Sequence, residues 1–187
     1  MTATVIIEEH NGAGNTRTDK TSGTVRFKNA DNATVDLNNP LVVPSAGARE
    51  NSYEKWLRLR ITNGAFTQIS NLRAYSDGDL SFGQGSPSEV NVYYATAGAY
   101  RAPAVPTEVN GPPQIPEAGS PVENMTNLAL RVSGDPVDMD AINTGPFTDG
   151  SPAEEIGDFL VLVMQLMPGA SSGLLTAETL TFAYDEI

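Results

Sequence analysis

Apolar and polar positions alternate with a period of two along much of the chain. In residues 55–63, Leu57, Leu59 and Ile61 fall on one side, while Trp56, Arg58 and Arg60 fall on the other. That spacing predicts a strand with two unlike faces. The same alternation sets Val25 and Phe27 against Arg26 and Lys28, and Val35 and Leu37 against Thr34 and Asp36. It returns in Val90, Val92 and Tyr94, in Leu128, Leu130 and Val132, and in Leu180, Phe182 and Tyr184. Between Ile69 and Ala74 it is looser. Residues 159–166 are apolar on both faces, which predicts a central strand covered on both sides. With residues 4–8, the pattern gives about nine strands.

Turn residues separate these runs: Asn11-Gly12, Asn63-Gly64, Asp77-Gly78, Gly134-Asp135 and Pro168-Gly169. Asn63-Gly64 lies between two alternating runs and reads as the tip of a hairpin. Helical periodicity is scarce. Only "SPAEEIGDF", residues 151–159, offers an N-cap, an early proline and early acids, enough for one helical turn. The fold class expected is all-β: a single β-sandwich or jelly-roll-like domain over residues 1–187, of about nine antiparallel strands with long proline-rich loops.

Two stretches break the pattern. Residues 97–124, "AGAYRAPAVPTEVNGPPQIPEAGSPVEN", are rich in proline and show no alternation. So long a loop is uncommon inside a compact domain. Its prolines fix φ in advance and lower the entropy lost on ordering. It is either a floppy insertion or an extended arm that docks on something, and docking is the expectation. Residues 133–157 form a second long, acidic loop.

Charge changes the picture further. Residues 1–101 hold ten basic and ten acidic side chains, whereas residues 102–187 hold thirteen acidic ones and only Arg131. The whole net charge of −12 therefore sits in the second half. Such a surface repels phosphate backbones and anionic lipid, so neither nucleic acid nor membrane is an expected partner. The longest apolar run, "FLVLVMQLM", is far below the ~20 residues of a membrane span. Residues 5–7 are too short an apolar run for a secretion signal and lack a basic flank. The chain has no cysteine, which excludes thiolate chemistry and disulfide staples.

Candidate chemistry is sparse. His10 is the sole histidine, in "EEHNG" ahead of a turn, and reads as a solvated turn residue. A zinc site built on it would need three carboxylate or backbone ligands, a set that suits zinc poorly. No nucleophile elbow accompanies any serine. "NGAGN" and "FGQGSPS" miss the phosphate-loop spacing and lead into no helix. Asp135, Asp138 and Asp140 could offer oxygens to Ca²⁺, without the spaced loop that makes such a site specific. No catalytic residues and no other cofactor are expected. Trp56, Tyr93 and Tyr100 could form a sugar-stacking platform, or pack in a core or between subunits.

The runs "YEKWLRLRITNGAFTQISNLRAYSDGD", "EVNVYYATAGAY" and "TAETLTFAYDE" resemble small β-sandwich structural proteins from the virions of tailed bacteriophages. The likeness covers residues 53–100 and 177–186. It implies a non-enzymatic protein made in the host cytoplasm and carried on the virion. A capsid decoration or cement protein on the outer shell, touching the major capsid protein, is expected first. Alternatives are a neck, tail or fibre component and, from another class, a carbohydrate-binding module for host attachment. Virion proteins commonly oligomerise about local symmetry axes, and a homo-oligomer is expected, with a trimer favoured. Trp56, Arg58, Arg60, Tyr93, Tyr100, Arg101, Pro112 and Pro113 are the expected interface residues, since Trp, Tyr and Arg concentrate at interface centres.

Overall fold

A computed structural model describes residues 2–64, 66–84, 89–106, 112–115, 123–148 and 155–187. Among these the chain is nearly all β. The strands are β1 (Thr4–Asn11), β2 (Thr16–Asp19), β3 (Glu50–Asn51), β4 (Lys55–Asn63), β5 (Gln68–Ser76), β6 (Val90–Ala97), β7 (Gln114–Ile115), β8 (Glu123–Asn124), β9 (Thr126–Asn127), β10 (Val137–Asp138), β11 (Phe147–Thr148), β12 (Glu155–Leu166) and β13 (Leu180–Glu186). All pairings are antiparallel. A large sheet runs β2-β1-β4-β12-β6-β9, with β3 also on β12; a smaller one places β10 and β11 on one side of β5 and β13 on the other. Strands β7 and β8 form a separate pair. No described helix is long and apolar enough to cross a membrane.

The main core lies where period-two patterning puts it. Leu57, Leu59 and Ile61 of β4 join Val90 and Val92 of β6 and Leu160, Leu162 and Met164 of β12. They cluster with Ile69, Leu72 and Ala74 of β5 and with Val137 and Met139. Each such side chain contributes roughly 1.5–3 kcal/mol when fully buried. The looseness of β5 has a local cause. Asn71 takes a left-handed conformation, φ 55°, and its partner strand slips register between Ala183 and Asp185. That bulge turns Ile69 and Leu72 to the same side.

Strand β12 is covered on both faces, as its composition predicts. Phe159, Val161 and Val163 point away from the main core into a second cluster with Trp56, Tyr93, Ala97, Ile115 and Met125.

Several expectations are corrected. Asn63-Gly64 is not a hairpin tip: β4 belongs to the large sheet and β5 to the small one. The dipeptide carries the chain between sheets, beside the N-terminal segment. Gly64 has φ 137°, and a Cβ there would stand 2.5 Å from Ala3 Cα. Residues 20–49, expected to hold two strands, hold none. Asx contacts replace the ladder: Asn32 Oδ1 accepts from Thr34 N at 3.2 Å and Asp36 Oδ1 from Asn38 N at 3.0 Å. Lys20 Nζ donates to the Ala33 carbonyl at 2.7 Å. Local bonds of this kind compete with sheet formation. Leu128–Leu130 is a 3₁₀ turn, capped by the Asn127 side chain, and not a strand. Of the expected helical turn, residues 151–154 lie outside the described residues, and 155–159 are strand.

Candidate functional site

The second face of the large sheet carries the densest chemistry. On β1, Glu8 and His10 are two apart and share a face. Antiparallel pairing sets Glu8 opposite Arg58 and His10 opposite Trp56 on β4. On the far side of β4, Glu155 at the start of β12 sits opposite Arg60. Three strands thus bring residues 147 positions apart in sequence onto one patch.

Ion pairs join them. Arg60 Nη2 lies 2.9 Å from Glu8 Oε1, Arg58 Nη1 2.8 Å from Glu155 Oε2, and Arg17 Nη2 of β2 2.5 Å from Glu155 Oε1. His10 is wholly buried. Its Nδ1 meets Asn15 Oδ1 at 2.6 Å, across the β1–β2 turn. Burial pulls its pKa below the ordinary value, against the raising influence of Asn15, Glu155 and Glu8. Burial therefore favours the uncharged imidazole. His10 Nε2 stands 4.0 Å from Glu8 Oε2. Neither atom has a hydrogen-bond partner, and both are shut off from water. Glu8, His10 and Glu155 are the one group of possible metal ligands gathered among the described residues, with ligand atoms within 4.8 Å of one another.

Beside this patch the rings of His10, Trp56, Tyr100 and Phe159 pack at centroid separations of 4.9–5.8 Å. Aromatic pairs at such distances and tilts attract beyond their buried area. Glu54 closes the cluster on the far side. It accepts from Trp56 Nε1 at 3.0 Å and from Ala104 N at 3.2 Å, and pairs with Arg101 at 2.5 Å.

The expected interface residues are redistributed. Trp56, expected on an exposed face, is 2 % exposed, and Tyr93 is also buried. The cause is the proline-rich segment. Tyr100 Oη donates to Gly12 O at 2.7 Å, Asn51 Nδ2 to Pro106 O at 2.9 Å, and Met125 N to Pro113 O at 2.9 Å. The described parts of residues 97–124 dock on their own domain and roof the second face; 107–111 and 116–122 lie outside the described residues. Within this roof Pro113 is buried and Pro112 exposed, while Arg58, Arg60, Tyr100 and Arg101 are half-buried. A flat sugar-stacking platform of Trp56, Tyr93 and Tyr100 does not form.

Of Asp135, Asp138 and Asp140, the structure brings the last two together, with their side chains hydrogen-bonded. Asp135 pairs with Arg131 at 2.6 Å, and Asp138 Oδ1 accepts from Asp140 N at 3.0 Å. His10 is not a solvated turn residue; it lies in the buried second half of β1. The missed site had one readable signal, the "EEH" run whose first and third members share a strand face. Glu155 carried none, because its segment read as helix.

The chain matches no family model, no curated protein and no solved structure.

Proposed function

We propose that this chain is a non-enzymatic structural protein of a tailed-bacteriophage virion, a capsid decoration or cement protein on the outer shell against the major capsid protein. One observation carries the reading. The two stretches that bear the resemblance, residues 53–100 and 177–186, are far apart in sequence yet meet where β13 pairs with β5. They supply β4, β5 and β6, and β13 pairs along β5 from Leu180↔Ser76 to Glu186↔Ile69. The likeness therefore spans both sheets, with β4 and β6 flanking β12, which lies outside it. A β-sandwich with jelly-roll character is the reading of those sheets, supported by a core that draws side chains from both.

Charged side chains also tie elements together. Glu54 holds the roof and Glu155 joins β2 to β4 and β12, which suits a part made to persist. With Trp56 inside, attachment moves to the strandless segment. Val35, Leu37 and Val42 are all exposed there, Leu37 at 88 %. Exposed large apolar side chains on one segment are the surface such a contact would use. These residues would meet neighbouring virion subunits, in a trimer or against the shell, while the acidic second half faces solvent.

Mass spectrometry of purified particles, with stoichiometry against the major shell protein, tests this. Hundreds of copies are expected; a dozen or fewer would mean a neck, tail or fibre role. Leu37→Asp should lower occupancy while leaving the melting of the isolated chain unchanged. Absence of the chain from particles would sink the proposal.

A further inference from the structure

We infer that Glu8, His10 and Glu155 form a binding site for a divalent transition-metal cation of the zinc type, set on one face of β1, β4 and β12. The tautomer comes first. Asn15 Oδ1 can only accept, so His10 Nδ1 carries the proton and Nε2 presents a lone pair. That lone pair and Glu8 Oε2 are both buried and both lack a hydrogen-bond partner. Orphaned polar atoms out of water are rare in folded chains and call for an explanation. At 4.0 Å they are too far apart to bond each other. Zinc takes imidazole nitrogen at ~2.0–2.1 Å and carboxylate oxygen at ~2.0–2.2 Å, so in a tetrahedral shell two ligand atoms stand ~3.4 Å apart, and a small side-chain shift from 4.0 Å would seat the cation. Glu155 supplies a third oxygen in the same space. Imidazole together with carboxylate favours zinc and its neighbours over Mg²⁺ or Ca²⁺.

The surrounding groups match an outer shell. Asn15 fixes the imidazole, and Arg60 and Arg58 each hold one oxygen of a liganding carboxylate. Such partners orient metal ligands. Arg17 is the exception. It occupies Glu155 Oε1, and three guanidinium groups around two carboxylates oppose an incoming dication. Its side chain is 44 % exposed, so it can withdraw into solvent as the metal enters. Arg17 therefore competes with the cation, and the sign of its removal follows: binding tightens.

The full chain, stripped with a chelator and dialysed, is titrated with zinc chloride by calorimetry. In parallel, the ¹⁵N resonances of its sole imidazole are followed by NMR. One saturable site per chain is expected, with His10 Nε2 shifting in step with the heat. Asn15→Gly suits the left-handed φ of 52° at that position and should weaken binding about 10–100-fold. Arg17→Ala should strengthen it. An imidazole signal that stays put while heat is released would place zinc on scattered carboxylates and overturn the site. So would the lack of any saturable binding, or an Arg17→Ala chain that binds no more tightly than the original. The NMR readout uses the unaltered chain and needs no variant to fold.

Discussion

Lys55 Nζ lies 3.1 Å from Glu9 Oε1 with both side chains wholly out of water. Both project from the end of the β1–β4 ladder. Lys20 Nζ reaches the other oxygen of Glu9 at 3.3 Å, and Lys55 also donates to the Asn32 carbonyl at 3.0 Å. Glu9 thus neutralises two ammonium groups that pin the strandless segment to the sheet. Removing one partner of a buried pair typically costs about 3–5 kcal/mol, because a charge stays behind uncompensated. Glu9→Gln strands two lysines and should lose stability on that scale. Lys55→Met leaves Glu9 still paired with Lys20 and should lose less. Urea midpoints of the two variants read the order directly; the reverse order would mean that Lys20 does not serve Glu9.

Trp56 offers a second stability test. Its ring meets Tyr100 and Phe159 edge-on, and Arg101 lies over it 5.2 Å from the centroid. Trp56→Ala opens a cavity beneath the roof and takes a donor from Glu54. Such truncations cost about 3–5 kcal/mol. The loss should appear in the isolated chain, with no partner added. A variant as stable as the parent would place the ring outside the second core.

What could be read from the sequence tracks how local its cause is. Leu57, Leu59 and Ile61 were legible because period-two spacing needs only neighbouring residues. Strand β12 was legible because eight nearly unbroken apolar positions leave no wet face. Asn63-Gly64 misled because turn chemistry looks the same within a sheet or between sheets. The choice here involves remote contacts: Ala3 beside Gly64, and Ile187 N donating to Gln68 O at 2.9 Å. Trp56 misled for a related reason. A Trp-Arg-Arg face reads as wet until a segment some fifty residues later covers it. The Glu8–His10–Glu155 patch was half legible, since only the first two residues share a strand.

Gly157 marks where β12 changes course. Ile156 faces Leu59 and Leu160 faces Leu57, so three residues of β12 bulge against Arg58 alone. Gly157 has φ 68°, and a Cβ there would stand 2.4 Å from Met139 O. The bulge lets Asp158 N reach Met139 O at 2.6 Å and the Asp158 carboxylate accept from Ile142 and Asn143 at 2.9 and 2.7 Å. Gly157→Ala adds both a clash and left-handed strain, and should destabilise by about 1–3 kcal/mol. Hydrogen exchange at the Ile142 and Asn143 amides should quicken with it. Unchanged protection there would show that the bulge does not anchor the loop.

Tyr100 supplies a prediction at alkaline pH. Burial raises its pKa to about 12, with Asp31 and Glu54 adding to the rise. The phenol is held as a donor to Gly12 O at 2.7 Å. In the unfolded chain a tyrosine loses its proton near pH ~10. The folded state keeps the proton longer, so this contribution to stability is whole below about pH 10 and drains away as pH rises toward about 12. Burial also raises Tyr93 and Tyr184, so a single titration curve cannot isolate Tyr100. A difference titration against Tyr100→Phe can. Phenolate absorbance in the parent minus the variant should appear close to pH 12, and the variant should resist unfolding to higher pH relative to its own neutral stability. A difference step near pH ~10 would put the ring in water and detach the proline-rich segment from the β1–β2 turn.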